Sequence, residues 1–472
     1  MEDQSLSLWE RVRVRAPLGL IALLFLLVLL FYRKIAFTNL ILVDYDLLTY
    51  FYPYKEAAAL AFREGRLPLW NPYLFTGVPF LANPQTALLY PLNLPGYLLS
   101  APLAVKYSVI FHVFLAGVFT YAFARCSLAL GRPGALVAAL TFMFGGFLTQ
   151  QVGHINQLNA AVWLPLLLLL FDLARQRRQP LFALLGGLAL AVQVLAGHSQ
   201  ETFLLMVALG LYFIFHLLDT LSLWERVRAR ATLSLWERVR GRPQRRAGNI
   251  PAANIPVATV SNRGPLSLWE RVRARPEHSE GVRAGLGGAA WAVLAFAAIV
   301  LLGLGLSMAQ VLPTLELSGE SIRGGGLPYK EAVSFSLPPW LLARSLLPAF
   351  VDSPFSEYIA YTGILPLLLA AHGLGWRQAR PLALFWLALG LLALFLALGG
   401  YNPLYELLYK VAPPLRLFRV PARWLYLYSF ALAALAGMGA HRLLTAPPGS
   451  RVESRESRVE TLSRVKGQGS RV

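Results

Sequence analysis

Two carboxylates near the start of the chain have the type and spacing for acid–base chemistry. Asp44 and Asp46 stand in the stretch Asp44-Tyr45-Asp46-Leu47, about a dozen residues after the first long apolar run. A carboxylate close to a membrane surface is partly desolvated and suits a general base that takes a proton from a hydroxyl group. Asp is also favoured as the N-cap of a helix, and a helix is predicted to begin near Leu47. The sequence does not show whether the role is that of a base or of an N-cap, and it does not favour Asp44 over Asp46.

Two similar short segments add imidazole and amide groups. They are Gly153-His154-Ile155-Asn156-Gln157 and Gly197-His198-Ser199-Gln200-Glu201, and each falls where one apolar run ends and the next begins. Neither has the close His/His or His/Glu pairing of a zinc-binding helix, so no metal site is predicted. No cofactor is firmly predicted, although a divalent cation stays open. The candidate substrate-binding residues here are His154, Gln157, His198, Gln200 and Glu201.

Arginines and aromatic residues complete the candidate site. Arg419 and Arg423 lie on either side of Pro421, where a helix is predicted to begin, and the N-terminal end of a helix favours a phosphate group. The alternative is that they bind lipid headgroups. Trp70 and Asn71 are further candidates for substrate contact, although an aromatic residue such as Trp70 is also typical of the membrane interface.

The composition is that of an integral membrane protein. The chain has 472 residues, of which 56% are hydrophobic and 14% are charged, with a mean hydropathy of +0.54. Soluble domains carry about 25% charged residues, so an ordinary soluble enzyme and a disordered scaffold are excluded. The single Cys126 excludes an intramolecular disulfide and a cysteine-rich metal site.

The formal net charge of +19 is unevenly distributed. Residues 1–16, 219–285 and 442–472 hold 23 of the 43 Lys and Arg and 12 of the 24 Asp and Glu. The excess therefore lies mainly outside the apolar runs, as expected for positive charge that flanks spans on the cytoplasmic side. A nucleic-acid partner is not expected.

The octapeptide LSLWERVR occurs four times without a change, starting at Leu6, Leu221, Leu233 and Leu266. Structural repeats keep a fixed period and vary at surface positions, so identical and irregularly spaced copies indicate a DNA repeat translated into an older gene. The alternative is a basic amphipathic patch that binds the membrane surface. We therefore interpret 1–16 as a repeat-derived N-terminal segment, 219–285 as a disordered cytoplasmic loop and 442–472 as a basic disordered tail.

Ten apolar segments are predicted to be spans, because a spanning helix needs about 20 mostly apolar residues. The fold class is thus all-α, a polytopic transmembrane bundle with an N-terminal module, 17–218, and a C-terminal module, 286–441. Arginines in alternate loops predict that those loops and both termini are cytoplasmic, which makes the long loop 33–103 an external cap. The predicted limits are 17–32, 104–124, 134–150, 158–174, 181–197, 201–218, 287–312, 357–373, 382–399 and 424–441.

The chain resembles the bacterial YfhO-like membrane proteins of the GT-C class of polytopic glycosyltransferases. The resemblance covers roughly residues 17–218 and 286–441. It rests on the two Gly-His segments and on four sequence motifs. These motifs are DxDLLxYFYP and GRLPLWNPYLFTGVPFLANPQTALLYPLN within residues 44–93, EYIAYTGILP from Glu357, and YNPLYELLYK…LRLFRVPARW within residues 401–424.

This resemblance implies transfer of a sugar from a polyprenyl-phosphate donor to a cell-envelope glycan or lipid acceptor, on the outer face of the bacterial cytoplasmic (inner) membrane. Asp44 or Asp46 would be the catalytic base of an inverting reaction. Arg419 and Arg423 would stabilise the leaving phosphate, and His154 and His198 would orient the acceptor. Membrane lipids are the other expected partners.

Two alternatives stay open. A transporter or flippase for a lipid-linked sugar would use the same phosphate site, but the predicted spans contain few titratable residues, which counts against it. Members of the family are usually longer and have further spans, so an inactive, truncated remnant is the second alternative. A nucleotide sugar is disfavoured as direct donor because the chain has no Gly-rich nucleotide-binding loop.

Overall fold

The computed structural model describes residues 18–239, 280–321, 324–347 and 355–445. Over these ranges the predicted fold class is confirmed, because the structure is an all-α polytopic bundle with a single two-stranded sheet. The chain forms two compact units. One contains the described residues up to Gly210 and those from Ala298 onward, and the other contains the described residues between Leu211 and Ala297.

Within the described ranges, ten apolar helices correspond to the ten predicted spans. Three of them are shorter than a full span, at Leu18–Phe31, Pro180–Leu195 and Ile364–Gly373. The protein is therefore a multi-pass membrane protein. The seven helical segments that are long and apolar enough to cross a membrane are Ala101–Cys126, Arg132–Gln150, Ile155–Arg177, Ser199–Leu221, Gly287–Leu306, Arg377–Ala397 and Pro421–Thr445.

We number the elements in chain order. The first ten helices are α1 Leu18–Phe31, α2 Arg33–Ala36, α3 Tyr52–Arg63, α4 Ala101–Cys126, α5 Arg132–Met143, α6 Gly146–Gln150, α7 Ile155–Ala161, α8 Leu164–Arg177, α9 Pro180–Leu195 and α10 Ser199–Val239. The others are α11 Glu280–Leu306, α12 Met308–Gly319, α13 Tyr329–Ala332, α14 Leu342–Leu346, α15 Ile364–Gly373, α16 Arg380–Ala397, α17 Pro403–Val411 and α18 Leu425–Thr445. The strands are β1 Trp70–Asn71 and β2 Val78–Pro79, paired antiparallel.

Proline and glycine determine where several helices begin. Proline stands in the first turn of α4, α5, α8, α9 and α16, where its missing N–H would have no intrahelical acceptor. The predicted span 357–373 was too long at its start. Gly363 precedes α15 with a φ of +103°, and the residues before it form a 3₁₀ turn, Ser356–Tyr358, and extended chain.

Helix α18 lies at the centre of the larger unit and packs against α5, α15 and α16. All of its residues from Leu425 to Ala440 are buried. Small residues allow this close approach: a Cβ on Gly439 would overlap the carbonyl oxygen of Leu369, and one on Gly437 would lie 2.8 Å from the Cβ of Ala138. Such stripes of Gly and Ala are typical of helix pairs in membranes, where close packing drives association.

The segment between α2 and α4 has a small hydrophobic core of its own. The β1–β2 hairpin places Phe80 against α3, and two 3₁₀ turns, Pro84–Thr86 and Pro91–Leu98, complete the layer. The helices of this segment are short because its prolines remove backbone N–H donors and restrict the residues before them. The buried members of the cluster are Tyr54, Ala58, Ala59, Phe80, Leu88 and Tyr97.

A π-helical turn, Leu47–Phe51, leads directly into α3. The N–H of Tyr52 donates to the carbonyl of Leu47, five residues back, so the turn holds one residue more than an α turn. On a continuous α-helix Asp46 and Lys55 would lie about 180° apart, whereas the extra residue reduces this angle to about 80°. Both residues consequently meet α7 or the turn before it.

The smaller unit contains the part of the chain predicted to be a disordered loop, 219–285. At both ends of that segment the structure has helix, because α10 continues to Val239 and α11 begins at Glu280. The LSLWERVR copies that start at Leu221 and Leu233 contain neither Gly nor Pro, and their Leu, Glu and Arg residues are good helix formers. The predictions for 1–16, for 240–279 and for residues from 446 to 472 lie outside the described residues.

Candidate functional site

The turn before α7 brings the two aspartates and His154 together. Nε2 of His154 lies 3.2 Å from Oδ2 of Asp46, whose side chain is 44% exposed. Gly153 provides the space for Asp44, because a Cβ built on that glycine would lie 2.7 Å from the Asp44 carboxyl carbon. Both carboxylates therefore meet the first Gly-His segment, as a shared site requires.

The aspartates differ in what they do locally. Oδ1 of Asp44 accepts a hydrogen bond from the backbone N–H of Asp46 at 3.2 Å, and its carbonyl accepts one from the N–H of Leu48. Asp44 is thus an N-cap, which is one of the two roles that the sequence left open. Asp46 has its carboxylate at the surface and in contact with His154.

The two Gly-His segments are joined to each other by buried hydrogen bonds. Nδ2 of Asn156 donates to the carbonyl of Gly197 at 3.2 Å, and Nε2 of Gln157 donates to Oε1 of Glu201 at 2.9 Å. Several buried polar atoms here have no partner among the described residues. They are Nδ1 of His154, Oε1 of Gln157 and Oε2 of Glu201.

Such unpaired atoms are uncommon in folded proteins, since leaving one buried costs about 1–3 kcal/mol. Three unpaired polar atoms in two adjoining segments are available to form hydrogen bonds with a polar ligand. They belong to residues that the sequence singled out for substrate binding.

The imidazole of His198 is held as a neutral ring. Its Nδ1 accepts a hydrogen bond from the backbone N–H of Glu201 at 3.1 Å, so the ring proton is on Nε2. Burial lowers the pKa of His198 well below its ordinary value, and the electrostatic effects of the nearby Arg423 and His154 lower it further. His198 is therefore a fixed hydrogen-bond donor at neutral pH and is not a cation.

Arg423 is bound by a carboxylate that the sequence reasoning missed. Its Nε and Nη2 each donate to the carboxylate of Glu357 at 2.6 Å, and its Nη1 donates to Oε1 of Gln200 at 2.8 Å. Glu357 is buried, with 1% of its side chain exposed. An arginine expected on the outer side of the membrane is a signal that a buried counter-charge lies nearby, and this signal could have directed attention to Glu357.

The remaining candidates are placed differently. Arg419 is exposed, and no hydrogen bond or ion pair joins it to another described residue. Trp70 and Asn71 lie in β1: the indole of Trp70 covers Gly77, and Oδ1 of Asn71 accepts from the backbone N–H of Tyr73 at 3.0 Å. These contacts lie within the hairpin, and none of them joins Trp70 or Asn71 to the aspartates.

The acidic and imidazole groups are spread over the site. Among the described residues, no three His, Cys, Asp or Glu side chains lie close enough together to hold a metal ion. The arrangement instead presents a surface carboxylate with a histidine beside it, a neutral histidine donor and an arginine whose charge is balanced. This set can accept a proton from a hydroxyl group and donate hydrogen bonds to a polar substrate.

No family model, no curated protein and no solved structure matches the chain.

Proposed function

We propose that the protein is a membrane glycosyltransferase that moves a sugar from a polyprenyl-phosphate donor to a cell-envelope glycan or lipid. The observation that carries the proposal is the Asp46–His154 contact, in the segment that also holds one half of the buried Gln157–Glu201 hydrogen bond, with the Gln200–Arg423 hydrogen bond formed by the residue before Glu201. A surface carboxylate beside a set of polar side chains suits a hydroxyl group that must be held and deprotonated. The expected resemblance to GT-C enzymes agrees with this chemistry.

In the proposed reaction Asp46 is the base. Its carboxylate takes the proton of an acceptor hydroxyl, the acceptor oxygen forms a bond to the anomeric carbon, and the bond from that carbon to the phosphate oxygen breaks. The phosphate leaves with the electron pair, and the configuration at the anomeric carbon is inverted. His154 holds the Asp46 carboxylate in place, and Asp44 fixes the start of the helix that carries it.

The positive groups act on the leaving phosphate. Arg423 uses three of its five N–H groups on Glu357 and Gln200, which leaves two for a ligand. Arg419 is exposed and joined to no other described residue, so its whole charge is free for a phosphate. Negative charge grows on the phosphate in the transition state, where such donors have most effect.

The expected location is the bacterial cytoplasmic membrane, with this site on its outer side and both termini in the cytoplasm. The polyprenyl-phosphate sugar would reach the site from the lipid. A nucleic-acid partner forms no part of the proposal.

The test is the transfer of labelled sugar from polyprenyl-phosphate donors in membranes that contain the protein. We expect Asp46→Asn to lower kcat by about 10²- to 10⁴-fold, the usual contribution of a general base. Asp44→Asn is the matched control, because Asn caps a helix about as well as Asp and keeps the hydrogen bond to the N–H of residue 46. It should retain activity to within about tenfold.

Two outcomes would contradict the proposal. Unchanged transfer by Asp46→Asn would exclude this residue as the base. Absence of transfer by the folded wild-type protein, with all donors tried, would exclude the function.

A further inference from the structure

A small cavity lies between α3, the 3₁₀ turn Pro84–Thr86 and α7, and its lining includes Ile155, the residue after His154. Its volume is about 10 Å³, room for about one water-sized atom, and it is partly open. Phe51 and Tyr54 form part of its wall. Its polar lining consists of Lys55, Gln85, Thr86, Asn93, Asn156 and Asn159.

Lys55 is the charged group of this cavity. Its side chain is buried, with the residue only 8% exposed, and its Nζ donates one hydrogen bond, to Oδ1 of Asn93 at 3.2 Å. An ammonium group has three N–H donors, so two stay without an acceptor among the described residues. No described carboxylate forms an ion pair with it. A buried charge without a counter-charge is costly, so an anion that binds beside Lys55 would be stabilised.

The neighbouring polar groups do not supply the missing charge. Nδ2 of Asn93 donates to the carbonyl of Ala87 at 3.0 Å, so both ends of that amide are used. His112 is close to Lys55, but its Nδ1 donates to the carbonyl of Ser108 at 2.7 Å and its Nε2 accepts from the hydroxyl of Tyr90. That ring is therefore neutral. The charge of Lys55 stays unbalanced.

Free hydrogen-bond donors face the same space. Gln85 and Asn159 are lining residues of the cavity, Asn159 buried and Gln85 exposed at the open side, and the side-chain amide nitrogen of neither donates to another described residue. Oδ1 of Asn159 accepts from the hydroxyl of Ser108. A buried ammonium and a buried amide beside one atom-sized space, with a second amide residue at its open side, suit a single negatively charged oxygen.

Burial lowers the pKa of Lys55 to about 8, so the group is still mostly protonated at neutral pH. A bound anion would raise this value again. One positive charge is balanced by one negative charge, and this favours a monoanion over a dianion.

We propose that this cavity is a binding site for a monoanionic oxygen group, a carboxylate or a phosphate diester, with Lys55 as its charge partner. One oxygen of the group enters the cavity, and the rest of the molecule lies at its open side. The proposal goes beyond the proposed function and does not need it, because it concerns binding to the folded protein without any reaction.

Lys106 supplies the control, because it is a second buried lysine with which no described carboxylate forms an ion pair. It is 4% exposed, its Nζ donates to the carbonyl of Thr38 at 3.0 Å, and it does not line the cavity. Lys55→Met and Lys106→Met therefore remove the same charge from two buried positions, of which one faces the cavity.

The experiment measures the affinity of four probes for the full chain in lipid nanodiscs. Dimethyl phosphate and glucuronate are monoanions, and trimethyl phosphate and glucose are their neutral counterparts. We expect at least one anion to bind more tightly than its neutral counterpart. Lys55→Met should weaken that binding at least about tenfold, because a hydrogen bond to a charged group is lost, and Lys106→Met should leave it unchanged. Which anion binds tells a phosphate diester from a carboxylate.

Asn159→Asp keeps the test decisive if Lys55→Met does not fold. This variant places a carboxylate of nearly the same shape in the cavity wall, where it would take the place of the ligand. Binding of the anion should be lost, and the melting temperature should rise. The proposal is overturned if neither anion binds better than its neutral counterpart, or if folded Lys55→Met or Asn159→Asp binds the anion as tightly as the wild type.

Discussion

Among single residues, the structure separates groups that the sequence could only list together. Asp44 caps a helix, while Asp46 is the carboxylate that contacts His154. Residue type and order made both of them candidates, but the division depends on where the helix begins and on the position of Gly153. Glu357 could not be assigned from its own segment, because its role comes from a partner 66 positions away along the chain.

Glu357→Gln tests the buried ion pair with Arg423. The variant leaves the arginine, with a side chain only 16% exposed, without its counter-charge. Removing one partner of a buried pair usually costs about 3–5 kcal/mol in the free energy of unfolding, and Gln retains part of the hydrogen bonding, so we expect about 3 kcal/mol. The measurement is unfolding of the purified protein in detergent.

Glu406→Gln is the control for that experiment. Glu406 pairs with Lys410 at the surface of α17, with more than half of each side chain exposed, and such pairs contribute about 0–1 kcal/mol. Equal losses of stability in the two variants would contradict a special role for the Arg423–Glu357 pair.

At the scale of helices and strands, the hydrophobicity of the sequence predicted which segments are helices, but it did not predict how these helices pack. The ten apolar runs all became helices, because every backbone polar group in a lipid environment must be satisfied within the chain. The central position of α18 was not predicted. The apolar Ala and Gly residues of α18 predict a span but do not predict which helices pack against it. The burial of α18 depends on where the other helices bring their own small residues, such as Gly134 and Gly373.

Gly439→Ala tests the close packing of α18. The new Cβ would overlap the carbonyl oxygen of Leu369, and the backbone of α15 cannot move away cheaply, so we expect a loss of about 1–3 kcal/mol. Gly305→Ala in α11 is the control, since nothing lies within 4 Å of its Cβ position. The melting temperature should fall for the first variant and stay or rise for the second. The same change in both would contradict the packing argument.

At the scale of the whole molecule, the order of the elements puts the candidate site at one level of the bundle. The aspartates precede the π turn, the Gly-His segments precede α7 and α10, and Arg423 directly precedes α18. The sequence predicted this convergence from the alternation of arginine-rich loops. It could not predict the Lys55 cavity, whose lining comes from three separate parts of the chain.

Cysteine labelling tests the predicted orientation in the membrane. In a Cys126→Ser background, Thr76→Cys lies in the exposed hairpin connection and Gln378→Cys lies in an exposed turn between Arg377 and Arg380. Because arginine-rich turns stay on the cytoplasmic side, a membrane-impermeant maleimide should label only Thr76→Cys in right-side-out vesicles. Gln378→Cys should react after the vesicles are opened. Labelling of both before opening, or the reverse order, would place the site on the wrong side for the proposed reaction.

The π turn at Leu47–Phe51 makes the length of this segment as important as its residue types. With the turn present, the nine steps from Asp46 to Lys55 span the same angle as eight steps of an ordinary α-helix, about 80°. The loss of a single residue from the turn would therefore restore an ordinary α-helix and leave both side chains facing α7 and the turn before it, whereas the gain of one residue would place them about 180° apart. In descendants of this gene, one-codon deletions in the turn should therefore be tolerated far more often than one-codon insertions, which would separate the carboxylate from the buried lysine without altering either.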